Sequence, residues 1–193
     1  MAQTNVTEST RMVNGIVLPT PGTFQLDPSH SHVGFSVRHM MGKVRGRFAS
    51  YSGTVSIAED PVGSSVDVSI DVASIDTRDE QRDGHLRAPD FFDAEAHPKM
   101  TYRSTGLSAN GEGRYRVEGD LTIKGVTRPV PLDLTFEGVG VDPWGNQRLG
   151  FSATAQINRE EFGLTWNQAL ETGGVLVGKK VTIEIEAQAV GQS

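Results

Sequence analysis

The sequence has no cysteine, and that one absence removes disulfides, thiolate nucleophiles and Cys-ligated zinc or iron–sulfur centres together. Long apolar runs are missing too. Nothing approaches the roughly 18 consecutive apolar residues of a membrane-spanning helix, and Gly15-Ile16-Val17-Leu18 is stopped by Pro19 and Pro21. Between Met1 and Thr23 no basic segment precedes a long apolar one, so no export signal is read and a cytoplasmic protein is expected. Positive charge is in the minority. The 18 Lys and Arg against 24 Asp and Glu leave a net charge of −6, which argues against nucleic-acid binding and against general attraction to anionic lipid surfaces.

Signatures of catalysis are equally sparse. The chain has no GxSxG, no Ser-x-x-Lys in context and no Gly-rich phosphate loop, so no enzyme activity is expected. The 5 histidines lack any HExxH or comparable ligand spacing. Asp79, Gln81, Asp83, Gly84 and Asp90 come close to a calcium loop, but Gln and a short Asp stand where ligands are needed, and helix capping explains them better. No metal or cofactor is expected.

What the sequence does have is alternation. Val33, Phe35, Val37 and His39 share one strand face, and Phe48, Val55 and Ile57 form a second run whose parity changes near Gly53, as at a bulge. Val66, Val68 and Ile70 alternate with Asp67, Ser69 and Asp71, and Met100 and Tyr102 begin a fourth run. Tyr115 to Ile123, Val130 to Phe136, Leu149 to Ile157 and Val181 to Ala189 follow, each with a polar opposite face such as Asp133, Ser152 or Glu184. One face in water and one buried is the mark of antiparallel strands. About eight of them with turns between indicate a sandwich or an up-and-down barrel, and a barrel of that size either fills itself or holds one small ligand. An outer-membrane barrel is disfavoured by the acids on its would-be lipid faces and by only 7% aromatics without a girdle.

Two stretches break the alternation. Thr77-Arg78-Asp79-Glu80 reads as a cap and acidic first turn, which predicts a short helix over Arg78 to Arg87 ended by Pro89. Glu160 to Gly174 is a second long irregular segment. Residues 1–22, polar and then Pro-rich, are expected to be a flexible arm, with the folded domain spanning 23–193. The inward parity nominates Phe35, Val37, His39, Phe48, Met100, Phe136 and Phe151 as lining residues. The irregular segments add Leu86, Phe91, Phe92 and Trp166, which either plug the core or line the mouth of a cavity. His39 admits two readings: a core histidine bonded to a backbone carbonyl, or a polar contact for a ligand headgroup in an apolar cavity. Ala153, Ala155, Ala187 and Ala189, small and inward, favour a hollow interior.

Several blocks resemble one known family. Phe24-Gln25-Leu26-Asp27-Pro28-Ser29-His30-Ser31, followed by Val33-Gly34-Phe35-Ser36-Val37-Arg38-His39, is similar to the opening of the YceI-like proteins, which are lipocalin-like polyisoprenoid-binding barrels. The similarity continues through Val44-Arg45-Gly46-Arg47-Phe48, Arg82-Asp83 with His85-Leu86-Arg87, Asp90-Phe91-Phe92-Asp93 and His97-Pro98. It ends with Leu121 to Val130, Phe151 to Gly163 and Val177-Gly178 with Val181. The resemblance implies an all-β, eight-stranded antiparallel barrel with a short helix and long loops at one end. It also implies an elongated hydrophobic pocket for a polyisoprenoid or quinone-like lipid, a storage or transport role, and a homodimer in transient contact with membranes. The competing readings are a metal- or haem-linked stress-response protein and an enzyme acting on a lipid.

Overall fold

The computed structural model describes residues 9–191. In chain order the elements are β1 Thr10–Val13, β2 Ile16–Pro19, β3 Gly22–Leu26, β4 His32–His39, β5 Gly42–Phe48, β6 Tyr51–Ile57, β7 Ser65–Asp71 and β8 Ile75–Asp76. Then come α1 Glu80–Arg87, β9 Lys99–Ala109, β10 Arg114–Ile123, β11 Val126–Pro129, β12 Leu132–Val141, β13 Gln147–Asn158 and β14 Val177–Gly191.

All barrel pairings are antiparallel, and the ring β3–β6–β7–β9–β10–β12–β13–β14 closes where β14 pairs back to β3. Those are the eight strands of an up-and-down barrel. Several continue past a bend into a second segment. β3 and β4 both run along β14, meeting it at Phe24–Leu26 and His32–His39, with a 3-10 turn at Pro28–His30 as the bend between them. β11 and β12 likewise both pair β10, while β5 and β6 follow the bent pair β4 and β3, and β8 and β7 follow β5 and β6. β8 pairs β5, whereas β7 pairs β9. The sheet therefore splits at that end, and the segment carrying α1 lies in the chain between β8 and β9.

Alternation explains the strands, and two-residue turns explain several joints. Lys124-Gly125 links β10 to β11 with φ of 52° and 75°, the paired left-handed conformation that matches strand twist in a tight hairpin. The parity change expected at Gly53 lies instead at Ala49-Ser50, between buried Phe48 and buried Tyr51. Gly53 is needed for a different reason. A Cβ there would stand 2.6 Å from Leu26 Cδ1, so its bareness lets Leu26 cross the strand.

The helix is shorter than predicted. Arg78 takes φ 63°, which a right-handed helix does not accept, so α1 starts at Glu80 with Asp79, not Thr77, as its cap. The Asp79 carboxylate accepts from the Arg82 N–H at 3.0 Å.

The N-terminal expectation needs a larger correction. Residues 10–19, expected within an arm without strand pairing, form the β1–β2 hairpin, in register from Thr10 opposite Pro19 to Val13 opposite Ile16. Its turn is Asn14-Gly15, with φ of 50° and 83°. Leu18 and Pro19 are buried, Arg11 donates to the carbonyls of Ala58 and Glu59, and the Gln147 amide donates to the Ser9 carbonyl. Apolar burial on the barrel end outweighs the polar composition of this segment. The rest of that expectation, residues 1–8, lies outside the described residues.

Candidate functional site

The barrel is hollow. A cavity of about 690 Å³ is lined from Leu18 and Pro19 of the β1–β2 hairpin at one end to α1 and the long loops at the other. Enclosed, mostly apolar spaces of ~300–1,000 Å³ are the usual form of small-molecule sites. The small inward residues bear this out: Ala153 and Ala187 line the cavity, and Ala155 and Ala189 are buried beside it.

All eleven residues nominated from sequence line this one cavity. Phe136 and Phe151 face each other across β12 and β13 and pack in the cluster nearer the hairpin end, with Phe24 and Leu149. Met100 on β9 and Phe48 on β5 belong to the main core cluster. Phe35 meets Phe48 at 5.8 Å between ring centroids, and Phe48 meets Phe92 edge-on at 6.0 Å. At the helix end His85, Phe91 and Trp166 form a triangle of rings, 5.1, 4.8 and 5.4 Å apart. Leu86, Val37 and His39 complete the set. Phe91 is buried, and Phe92 and Trp166 are partly open, so these rings both pack and line the mouth.

His39 ends β4, opposite Val177 of β14 and Gly42 of β5. It is half-buried, faces the cavity, and forms no side-chain hydrogen bond among the described residues. Its two ring nitrogens are therefore open to a ligand rather than tied to a core carbonyl.

The mouth is held by a polar network that sequence reasoning did not resolve. Asp83 of α1 is buried and accepts from the Thr77 N–H at 2.9 Å and the Thr77 hydroxyl at 2.5 Å. Arg82 donates from Nε to Thr77 Oγ1 and from Nη2 to the Thr77 carbonyl, both at 2.8 Å. These bonds fasten α1 to the end of β8. On the other side Arg159 is buried, and its guanidinium donates to the carbonyls of Gly178 at 2.8 Å, Leu164 at 2.7 Å and Trp166 at 2.9 Å. Burial pulls its pKa below the ordinary guanidinium value. The bonds instead gather the irregular segment around one cation, and fully buried Phe162 anchors the same turn. Burying one phenyl side chain is worth about 1.5–3 kcal/mol. Nothing in the alternation signalled Arg159, because its partners are backbone groups of a loop.

The acids of the near-miss calcium loop are committed elsewhere: Asp79 caps α1, Asp83 holds Thr77, and Asp90 lies 3.0 Å from His85 Nε2. His30 bonds to Asp27 on the surface. Among the described residues no three His, Asp or Glu side chains gather as a ligand set for a metal.

The comparisons agree with this geometry. A family model described as the YceI-like domain matches residues 24–189. A UPF0312 protein of Staphylococcus epidermidis is 39% identical over 168 residues, 86% of this chain and 95% of that protein. A UPF0312 protein of Staphylococcus aureus shows the same identity and coverage. Among solved structures, Burkholderia cenocepacia BcnA superposes with a TM-score of 0.75 at 26% identity, covering 84% of this chain and 98% of that one. A polyisoprenoid binding domain from Saccharophagus degradans shares the fold, with a TM-score of 0.67 at 16% identity over 88% of this chain and 98% of its own.

Proposed function

This chain belongs to the YceI-like family, and from that membership and its cavity we propose that it binds a long-chain isoprenoid or related amphiphilic lipid, such as a quinone or its precursor. The observation that carries the proposal is the apolar cavity of about 690 Å³, lined by Leu18 and Pro19 of the hairpin at one end and by aromatic rings at the other. The protein stores, sequesters or transports the lipid rather than transforming it. It works in the cytoplasm as a homodimer.

Transfer energetics say where selectivity resides. Burying a chain is worth roughly 0.8 kcal/mol per CH₂ relative to water. A prenyl lipid, however, starts in a bilayer as apolar as the lumen, so this contribution nearly cancels. Cavity length and the polar groups at the mouth, His39, His85 and Arg82, then set which lipid is preferred.

Native mass spectrometry of the purified full chain, followed by solvent extraction, tests the reading. A co-purified long-chain lipid supports it; a stoichiometric metal or haem instead would replace it with the stress-protein alternative. Ala153→Phe supplies the matching variant, because its ring enters the lumen. Lipid occupancy should fall at least tenfold, while overpacking costs the empty protein no more than about 1–3 kcal/mol. Light scattering on a sizing column tests the dimer.

A further inference from the structure

We propose that the β4–β5 hairpin tip docks the mouth of the barrel onto an anionic bilayer surface. The two-residue turn between His39 and Gly42 is Met40-Met41. Met41 is 94% exposed and Met40 50% exposed. Other two-residue hairpin turns of this chain use Asn14-Gly15 and Lys124-Gly125, whose residues are polar or bare. Met40 takes φ 51°, a conformation glycine adopts at least cost, and its open side chain gains little packing in return. Neither methionine is what folding alone would favour at that tip.

The neighbourhood extends the apolar patch and surrounds it with cations. The Met40 N–H donates to the Leu176 carbonyl at 2.9 Å, and the adjoining Val175 is 51% exposed. Arg38 and Lys43 stand opposite one another at the base of the tip, Arg45 follows on β5, and Lys180 lies on the neighbouring β14. All four are exposed and form no ion pair among the described residues. From Ser36 to Arg47 the chain carries four basic residues and no acidic one, although its net charge is −6. Glu171 is exposed on the nearby Leu170–Gly174 turn, Glu161 and Glu184 are exposed further along the neighbouring turn and β14, and Lys179 is already paired with Glu160 at 3.1 Å. Charge is screened beyond about 8–10 Å, so this patch acts on a surface without regard to the distant acids.

Thioether side chains ringed by Lys and Arg suit the headgroup boundary of an anionic membrane, where apolar tips insert and cations meet the lipid charges. The location matters because Val37, His39, Val44 and Leu176, next to the tip, line the cavity. The β12–β13 turn also exposes Trp144 (80%), but beside Asp142, whose carboxylate accepts the Trp144 N–H at 3.0 Å and is itself paired with Arg148. The proposal does not depend on what the cavity holds.

The test is sedimentation of the full chain with phosphatidylcholine vesicles, with or without phosphatidylglycerol. Binding is expected only to the mixed vesicles and should weaken as salt rises. Met40→Ser with Met41→Ser should reduce it at least tenfold, and so should Lys43→Glu with Arg45→Glu, at unchanged melting temperature; Trp144→Ser should leave it intact. Absence of binding to either vesicle, or binding unaffected by both hairpin variants, overturns the proposal. A dimer that dissociates with Met41→Ser in the absence of vesicle binding overturns it too, and assigns the tip to a second copy of the chain.

Discussion

Tyr102 occupies the space that a side chain at position 119 would need: a Cβ built on Gly119 would lie 2.4 Å from the Tyr102 hydroxyl and 2.8 Å from the Arg103 carbonyl. The same pair holds the break between β11 and β12. The buried Tyr102 hydroxyl donates to the Val130 carbonyl at 2.9 Å, and the Val130 N–H donates to the Gly119 carbonyl at 2.8 Å. Burial pushes the Tyr102 phenol above its ordinary value, so it remains a donor throughout the usable pH range. Val130 sits between Pro129 and Pro131, where the ladder has no proline N–H to use. Tyr102→Phe should therefore cost about 1–2 kcal/mol by chemical denaturation. Gly119→Ala should cost more, because the nearby carbonyl cannot move aside as a side chain can.

A second relationship makes stability depend on acid. Arg148 on β13 bonds Asp27 at the β3–β4 bend at 2.7 Å and Asp142 of the β12–β13 turn at 2.9 Å. The Arg148 bond, then that from Ser29, holds the Asp27 carboxyl far below the usual carboxylate range, with burial opposing. For Asp142 burial pushes upward, but bonds from the Asn146 N–H, Arg148 and the Trp144 N–H outweigh it and hold the group at about 2. Both folded values lie below the unfolded value of about 3.9, so the unfolded chain binds more protons in acid. Their stabilisation is complete above that value and disappears as pH falls through the folded values. Melting temperature should drop between about pH 4 and pH 2. Arg148→Met should melt earlier at pH 7, and its gap to the parent should narrow steadily as pH falls from about 4 towards 2; parallel curves at all pH values would remove the three residues from the acid response.

Much of this architecture was legible because strand parity is a strict period of two. Once Phe35, Phe48, Met100, Phe136 and Phe151 are assigned inward, a closed barrel brings them into one lumen whatever its curvature. The bends were less legible. A parity change at Ala49-Ser50 looks the same in sequence as one at Gly53, and only the neighbour strands distinguish them. The β1–β2 hairpin had a signal, Asn14-Gly15 between Val13 and Ile16, but strands of four residues are too short for alternation to stand out. Arg159 and the Thr77–Asp83 lock had none in the alternation, since their partners are a loop's carbonyls and a residue outside the helix; Arg159 and Asp83 stood out only within the blocks that resemble the family.

The hairpin gives the third prediction. Leu18 and Pro19 are buried and line the end of the cavity away from α1, so removing residues 1–21 exposes apolar barrel wall. Leu18→Ala alone should cost about 2–4 kcal/mol, a loss of roughly 5–10 °C in melting temperature at this chain length. The truncation should lose at least as much. An unchanged melting curve for the truncation would show that the hairpin rests on the barrel without stabilising it.

The last prediction concerns His39. It stands at the mouth, among Val37, Val44 and Leu176, with its imidazole facing the cavity and unbonded to the protein among the described residues. One ring nitrogen of a neutral imidazole donates and the other accepts, which suits a hydroxyl, phenol or quinone oxygen on a lipid head. A hydrogen bond made there, sheltered from water, is worth about 1–2 kcal/mol, or roughly five- to thirtyfold in affinity. His39→Leu should thus weaken binding of a prenyl alcohol by that factor, while binding of the matching prenyl hydrocarbon hardly changes. The fold should tolerate the change, since leucine extends the apolar wall and no protein hydrogen bond is lost. Melting temperature of the empty protein reads that separately. Equal losses for both ligands, or a fall in melting temperature matching the loss in affinity, would make His39 a packing residue and move headgroup selection to His85 and Arg82 at the same mouth.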